Sequence, residues 1–185
     1  MFVNRTIPPQ RQIFRAMPAN ELFSETQFFG KKWWPILLPT AIIPVAMALA
    51  PKNPFSADAD PDAGVGLLVV LSVLSLTWGL FFAMRLRTRI TDEGVHVRFW
   101  PFHLRGDVFF PWEKIQKAYV RTYNPLFEYG GWGLRYGFSH GKAYNVWGNK
   151  GLQLELADGK KVLIGTQDPE GLKAALEKLG KGENQ

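Results

Sequence analysis

Between Gly64 and Met84 the chain places twenty-one residues in succession without a charged side chain, twelve of them Leu, Val or Phe, and then turns to Arg85, Arg87 and Arg89. At a helical rise of about 1.5 Å per residue this run covers roughly 31 Å, the thickness of a bilayer's hydrocarbon core, and predicts a transmembrane helix over 64–84. A second apolar stretch, Trp33 to Ala50, follows Lys31 and Lys32 and covers about 27 Å. Pro35 falls in its first turn, where a missing donor costs little, but Pro39 and Pro44 each remove an internal hydrogen bond, so this span is expected to be bent or tilted. Two alternatives exist for it. A cleavable secretory signal ending at Ala48, Leu49 and Ala50 is opposed by Pro51 directly after the cut and by the long polar leader. A re-entrant hairpin is opposed by the full length of the second run.

Beyond Arg85 the period of the pattern changes to two. Ile90 and Val95 bracket the turn in I-T-D-E-G-V, and Val97 and Phe99 continue one apolar face through V-H-V-R-F-W, which predicts a β-hairpin. In L-Q-L-E-L-A-D-G-K-K-V-L-I-G a three-residue turn with Gly159 left-handed would set Leu154 opposite Val162 and Leu152 opposite Ile164, keeping the apolar face intact. The intervening D-V-F-F-P-W-E-K-I-Q-K-A-Y-V-R-T-Y and W-G-L-R-Y-G supply further strands, about seven in all. The final element is an amphipathic helix: Asp168 caps it, Pro169 suits its first position, Gly180 suits its end, and Leu172, Ala175, Leu176 and Leu179 form one apolar stripe. That stripe must be buried against the sheet, at an open end or one side of a barrel. The expected fold class is α+β, a two-helix transmembrane hairpin followed by a roughly seven-stranded antiparallel β-barrel capped by a C-terminal helix.

Charge adds an orientation. Lys31, Lys32 and the Arg85, Arg87, Arg89 cluster flank the two runs, while the link 51–63 carries Asp58, Asp60 and Asp62. The positive-inside rule then predicts a multi-pass protein of a bacterial inner membrane with both termini cytoplasmic. Trp33, Trp34 and Trp78 lie toward the same ends as the basic residues, where amphipathic rings anchor helices at an interface or simply pack. Glu21 to Phe29 reads as a short segment lying along the headgroups, with Leu22, Phe23, Phe28 and Phe29 dipped inward. The chain divides into a cytoplasmic segment 1–32, a hairpin 33–84 (spans 33–50 and 64–84) and a cytoplasmic domain 85–185. The apolar residues, 46% of the chain, crowd into its first half.

Candidate chemistry is sparse. With no cysteine, disulfides, thiolate metal sites and cysteine nucleophiles are excluded. His96, His103 and His140 lack metal-ligand spacing, and Asp92, Glu93, Asp107 and Glu113 form no recognisable acid–base pair. The glycines at 130, 131, 133 and 137 do not follow a phosphate-loop spacing and read as turns or bulges. No catalytic residue, metal or cofactor is expected, nor a nucleic-acid partner, and no small-molecule substrate is inferred. What stands out is the polar-aromatic cluster of Tyr123, Asn124, Pro125, Glu128, Tyr129, Trp132, Arg135 and Tyr136, with Tyr144 and Trp147 beside it. Asn-Pro starts a turn, which gives part of the cluster a structural reason. Tyr, Trp and Arg together are also the residue types that dominate binding hot spots.

With two apolar runs ahead of a β-rich domain, the motifs I-T-D-E-G-V, Y-N-P-L-F-E-Y-G-G-W-G-L-R-Y-G and K-A-Y-N-V-W-G-N-K-G-L-Q-L-E-L make the chain resemble bacterial membrane proteins that carry a pleckstrin-homology-like domain of unknown function. The resemblance implies architecture more than activity. Lipid-binding members of the wider fold use basic side chains on the first two strands; here Arg87, Arg89 and Arg98 partly match, but the joining turn holds Asp92 and Glu93. The expected function is a non-catalytic module for contact with a protein partner or with copies of itself at the bilayer, with lipid-headgroup sensing as the alternative. Lys31, Lys32, Trp33, Trp34, Trp78, Arg85, Arg87 and Arg89 are the expected membrane-surface residues.

Overall fold

The computed structural model describes residues 21–48, 61–104, 106–137 and 139–181. Strand β1, Glu21–Phe28, leads into helix α1, Gly30–Ala48, and helix α2, Pro61–Ala83, returns the chain to β2, Arg85–Thr91. Then come β3, Gly94–Trp100, β4, Val108–Pro111, a 3₁₀ turn at Trp112–Lys114, and β5, Ile115–Thr122. The short helix α3, Pro125–Tyr129, precedes β6, Gly133–Gly137, β7, Gly141–Asn145, β8, Lys150–Leu156, and β9, Lys161–Gly165. Helix α4, Pro169–Lys178, is the last described element.

Two sheets result, of order β1-β2-β3-β4 and β5-β8-β9-β7-β6. The expected seven-stranded closed barrel is corrected on both counts. There are nine described strands, and the sheets do not close on each other. One extra strand is β1, expected along a membrane surface. It instead pairs antiparallel with β2, Ser24 opposite Arg89 and Phe28 opposite Arg85. The other departure is β7, which pairs parallel with β9, Tyr144 opposite Ile164.

Alternation sets which face each strand buries. In β2, Leu86, Thr88 and Ile90 point inward while Arg85 and Arg87 stay exposed and Arg89 half-buried. Ile90 faces Val95 across the first hairpin, and Val97 and Phe99 extend the same buried face. Gly94 is needed there because a Cβ would collide with the Phe110 carbonyl of β4. In the second hairpin Leu152 lies opposite Ile164 and Leu154 opposite Val162, the register that keeps the apolar face whole, with Gly159 at φ 80°. These residues form the core between the sheets, with Tyr144, Leu172, Ala175 and Leu176. Asp168 caps α4 by accepting from the Gly171 amide at 2.9 Å, and the helix lies against β1 of one sheet and β5 and β8 of the other.

Among the described residues, no helix is long and apolar enough to cross a membrane. The transmembrane reading of 33–50 and 64–84 and the multi-pass, inner-membrane localisation are corrected on that finding. One physical reason lies at the helix ends. Trp33, Phe81 and Met84 pack against the core of the β-sheets, so the apolar run gives its last turn to the β body. The seventeen residues from Gly64 to Leu80 cover only about 25 Å, short of a roughly 30 Å hydrocarbon layer. Helix α1 carries Pro35, Pro39 and Pro44 inside it, each of which weakens its hydrogen-bond ladder. The side chains of Lys31, Lys32 and Trp34, and most of the acidic link used to orient the chain, lie outside the described residues.

Candidate functional site

The helical hairpin is fixed to the β body by aromatic rings. Phe29, between β1 and α1, stacks on Phe99 of β3 at 5.8 Å and meets Phe81 of α2 edge-on at 5.7 Å. The first turn of α1 brings Trp33 over the second sheet, where its Nε1 donates to the Val146 carbonyl at 2.9 Å. Its ring meets Trp132 at 5.1 Å and Trp147 at 5.2 Å, and those two stack on each other at 5.6 Å. Trp132 is held in turn by an Nε1 bond to the Gly148 carbonyl, 3.0 Å. Trp78 ties the helices together by donating to Thr40 Oγ1 at 3.0 Å. Three tryptophans from distant parts of the chain thus form one clamp at the hairpin's base. Trp33 and Trp78 have packing roles there.

Away from that base the hairpin shows apolar side chains outward. Leu68, Val69, Val70 and Leu71 are all exposed, and Leu68 and Leu76 keep 65% and 76% of their surface. Consecutive helical positions are turned by about 100°, so four exposed apolar neighbours leave every side of α2 apolar and at least partly open. Leu38, Ile42 and Ile43 extend this surface onto α1. A helix apolar all round requires an apolar surrounding.

The polar-aromatic cluster divides in three. In the first part Asn124 caps α3, its Oδ1 accepting from the Leu126 and Phe127 amides at 3.2 Å, while Glu128 Oε1, one turn on, accepts from the Asn124 amide at 2.7 Å, so that donors at the helix start are met from both sides. Pro125 takes the first helical position. Glu128 Oε2 accepts from Arg121 at 2.6 Å, and Arg121 also donates to Gln153 at 3.0 Å and the Tyr129 hydroxyl at 3.3 Å. Burial pushes the Glu128 carboxyl up, but the Arg121 guanidinium and the Asn124 amide outweigh it and hold the group below its usual range. Tyr123 is buried beside this network, its hydroxyl accepting from Asn145 at 3.1 Å, and burial pushes its phenol up to about 12. In the second part Trp132 and Trp147 join the clamp, and the Arg135 Nε donates to the Trp132 carbonyl at 2.9 Å. In the third, Tyr136 and Tyr144 stand apart on β6 and β7.

Pattern reading did not single out Arg121 or Gln153, which read as ordinary polar strand positions; Gln153 is in fact buried, and the two acquire their role only through the pairing of β5 with β8. It also passed over Leu126 and Phe127. Both are exposed, Phe127 at 90%, on the outer side of α3. The arginines meet different fates. Arg85 and Arg87 are exposed with no ion-pair partner among the described residues, whereas Arg89 and Arg98 converge on Asp107, the latter at 3.7 Å. Among the described residues no group of three or more His, Asp or Glu could hold a metal ion.

The titratable groups in contact with the core have structural work as well. Glu25 of β1 accepts from the Thr166 hydroxyl at 2.7 Å and the Gln167 amide at 2.8 Å, and Gln27 donates to the Gly165 carbonyl at 2.7 Å. These bonds join the first sheet to the end of β9 and to the turn that leads into α4. Burial raises the Glu25 carboxyl despite both donors. Compared with known protein families and with curated proteins, the chain matches none.

Proposed function

We propose that the chain is a non-catalytic assembly module in which a two-sheet body holds an apolar helical hairpin in place for packing against the hairpins of further copies. The observation that carries the reading is the row Leu68 to Leu71, exposed on consecutive positions of a helix whose base is clamped. Apolar surface of that extent has a strong tendency to leave water, at about 25 cal/mol for each Å² buried. A fixed base favours association because less ordering remains to be done on binding. A binding role is also supported by the ionisable groups, since Asp107, Glu128 and Glu25 are each engaged in contacts within the fold. Kinship with pleckstrin-homology-like domains belongs to the same proposal, supported by the two sheets finished by one amphipathic helix.

The test is light scattering on the full chain in detergent-free buffer, beside a variant carrying Leu68→Gln, Val69→Gln and Leu76→Gln. The expected result is an oligomer for the unaltered chain and a shift toward monomer for the variant, with the strand signal in circular dichroism unchanged. A monomer at micromolar concentration overturns the proposal. So does an unaltered chain that floats with lipid vesicles in preference to self-association.

A further inference from the structure

Because the sheets do not close, a cleft of about 640 Å³ opens where β4 faces β6, β7 and the β8–β9 turn. Its size falls within the roughly 300–1,000 Å³ of small-molecule sites. Val108, Phe110, Leu156 and Val162 give it apolar walls. Lys142 and Tyr144 also line it, two positions apart on β7 and therefore on one face. The Lys142 Nζ stands 4.7 Å from the centre of the Tyr144 ring and 5.6 Å from that of Tyr136.

Two features of this pair are unusual. Tyr144 is fully buried, yet its hydroxyl has no hydrogen-bond partner among the described residues, a costly state for a group that can donate. The Lys142 ammonium lies close enough to draw that phenol down, against the burial that raises it. Lys142 itself has no carboxylate partner among the described residues. The acid among the residues lining the cleft, Asp158, is taken by Lys160 at 2.6 Å. Lys161 adds a further cation at the rim. An ammonium and a phenol therefore stand side by side with no carboxylate between them, in a cationic cleft with apolar walls.

We infer that the cleft binds a small amphiphile bearing one carboxylate, whose oxygens accept from the Lys142 ammonium and the Tyr144 hydroxyl while its hydrocarbon lies along Val108, Phe110 and Val162. The donors select an anionic acceptor and the walls select an apolar body. Neither lies on the helical hairpin, so this site and the proposed assembly surface stand or fall separately.

The experiment is calorimetric titration of the full chain with octanoate, 1-octanol and inorganic phosphate, repeated on Lys142→Met and Tyr144→Phe. Octanoate is expected to bind at least about tenfold more tightly than 1-octanol or phosphate, and to lose about tenfold or more in Lys142→Met and several-fold in Tyr144→Phe, as the loss of charge-assisted and neutral hydrogen bonds requires. Tyr144→Phe keeps the buried ring and removes only the unpartnered hydroxyl, so its melting temperature should equal or exceed that of the unaltered chain. Equal binding of 1-octanol overturns the inference, as does octanoate binding indifferent to both substitutions, which would signify adsorption elsewhere. Phosphate binding as well as octanoate, or the absence of octanoate binding at millimolar concentration, also overturns it.

Discussion

The β body and the helical hairpin are both rich in apolar residues, but they place them in opposite ways. In the body each strand sends alternate side chains inward, so Leu86, Ile90, Val95, Val97 and Phe99 disappear between the sheets while polar neighbours face out. In the hairpin the apolar side chains are continuous along the chain, and a helix of that kind has no polar side to present to water. Periodicity, rather than amount, decides whether hydrophobic residues complete a fold or leave a surface that needs another molecule. The hairpin's base behaves like the body, because there Phe29 enters the core and Trp33, Phe81 and Met84 pack against it.

The largest blow to this division should come from Phe99→Ala. Phe99 is fully buried where body and hairpin meet, stacked on Phe29 at 5.8 Å and beside Phe102 at 5.3 Å. Its loss should cost about 3–5 kcal/mol in urea unfolding and loosen both parts at once. A smaller and more selective effect is expected from Trp33→Ala, which removes the indole from its two partners and frees the Val146 carbonyl. The cost should be about 2–3 kcal/mol. Limited proteolysis should then cut within 30–84 while the β-sheets persist, whereas simultaneous loss of both would show that the two regions form one cooperative unit. The smallest effect concerns the body alone. Burial lowers the pKa of His103, and the charge of Lys142 adds to this, against the pull of Asp107. The native ring stays neutral at a pH where the unfolded chain, near 6.5, has taken up its proton. Stability should therefore fall as pH drops through about 6.5 toward the lower native value, and His103→Gln should flatten that part of the unfolding profile.

Legibility followed the same division between local and distant pairing. The β2–β3 and β8–β9 hairpins and α4 are encoded within a few residues, by turn chemistry at Gly94 and Gly159, alternation, and the Asp168-Pro169 start. Strand β1 was disguised because buried Gln27 interrupts its apolar alternation, the pairing shifts between Glu21 and Phe23, and its partner β2 lies beyond the whole hairpin. The parallel contact of β7 with β9 carries no local mark either, so the opening between the sheets could not be foreseen. The polar-aromatic cluster was visible as composition, but only the fold separates Asn124 and Glu128, which cap a helix, from Tyr144, which stands against Lys142. The apolar run reads as one uniform length. Nothing in its composition reveals that Phe81 and Met84 belong to a core whose other members lie downstream.

Since Phe28 stands opposite Arg85 and the Phe29 amide donates to the Met84 carbonyl at 3.2 Å, residues 29–84 occupy the place of an ordinary hairpin turn. Entry and exit share one port, about 5 Å wide, and each doubling of a loop's length adds only about 0.6 kcal/mol to the entropy of closing it. The sheet is thereby indifferent to what is grafted beyond the aromatic collar. An appendage of another length or character could be plugged into the same socket without rethreading a single strand.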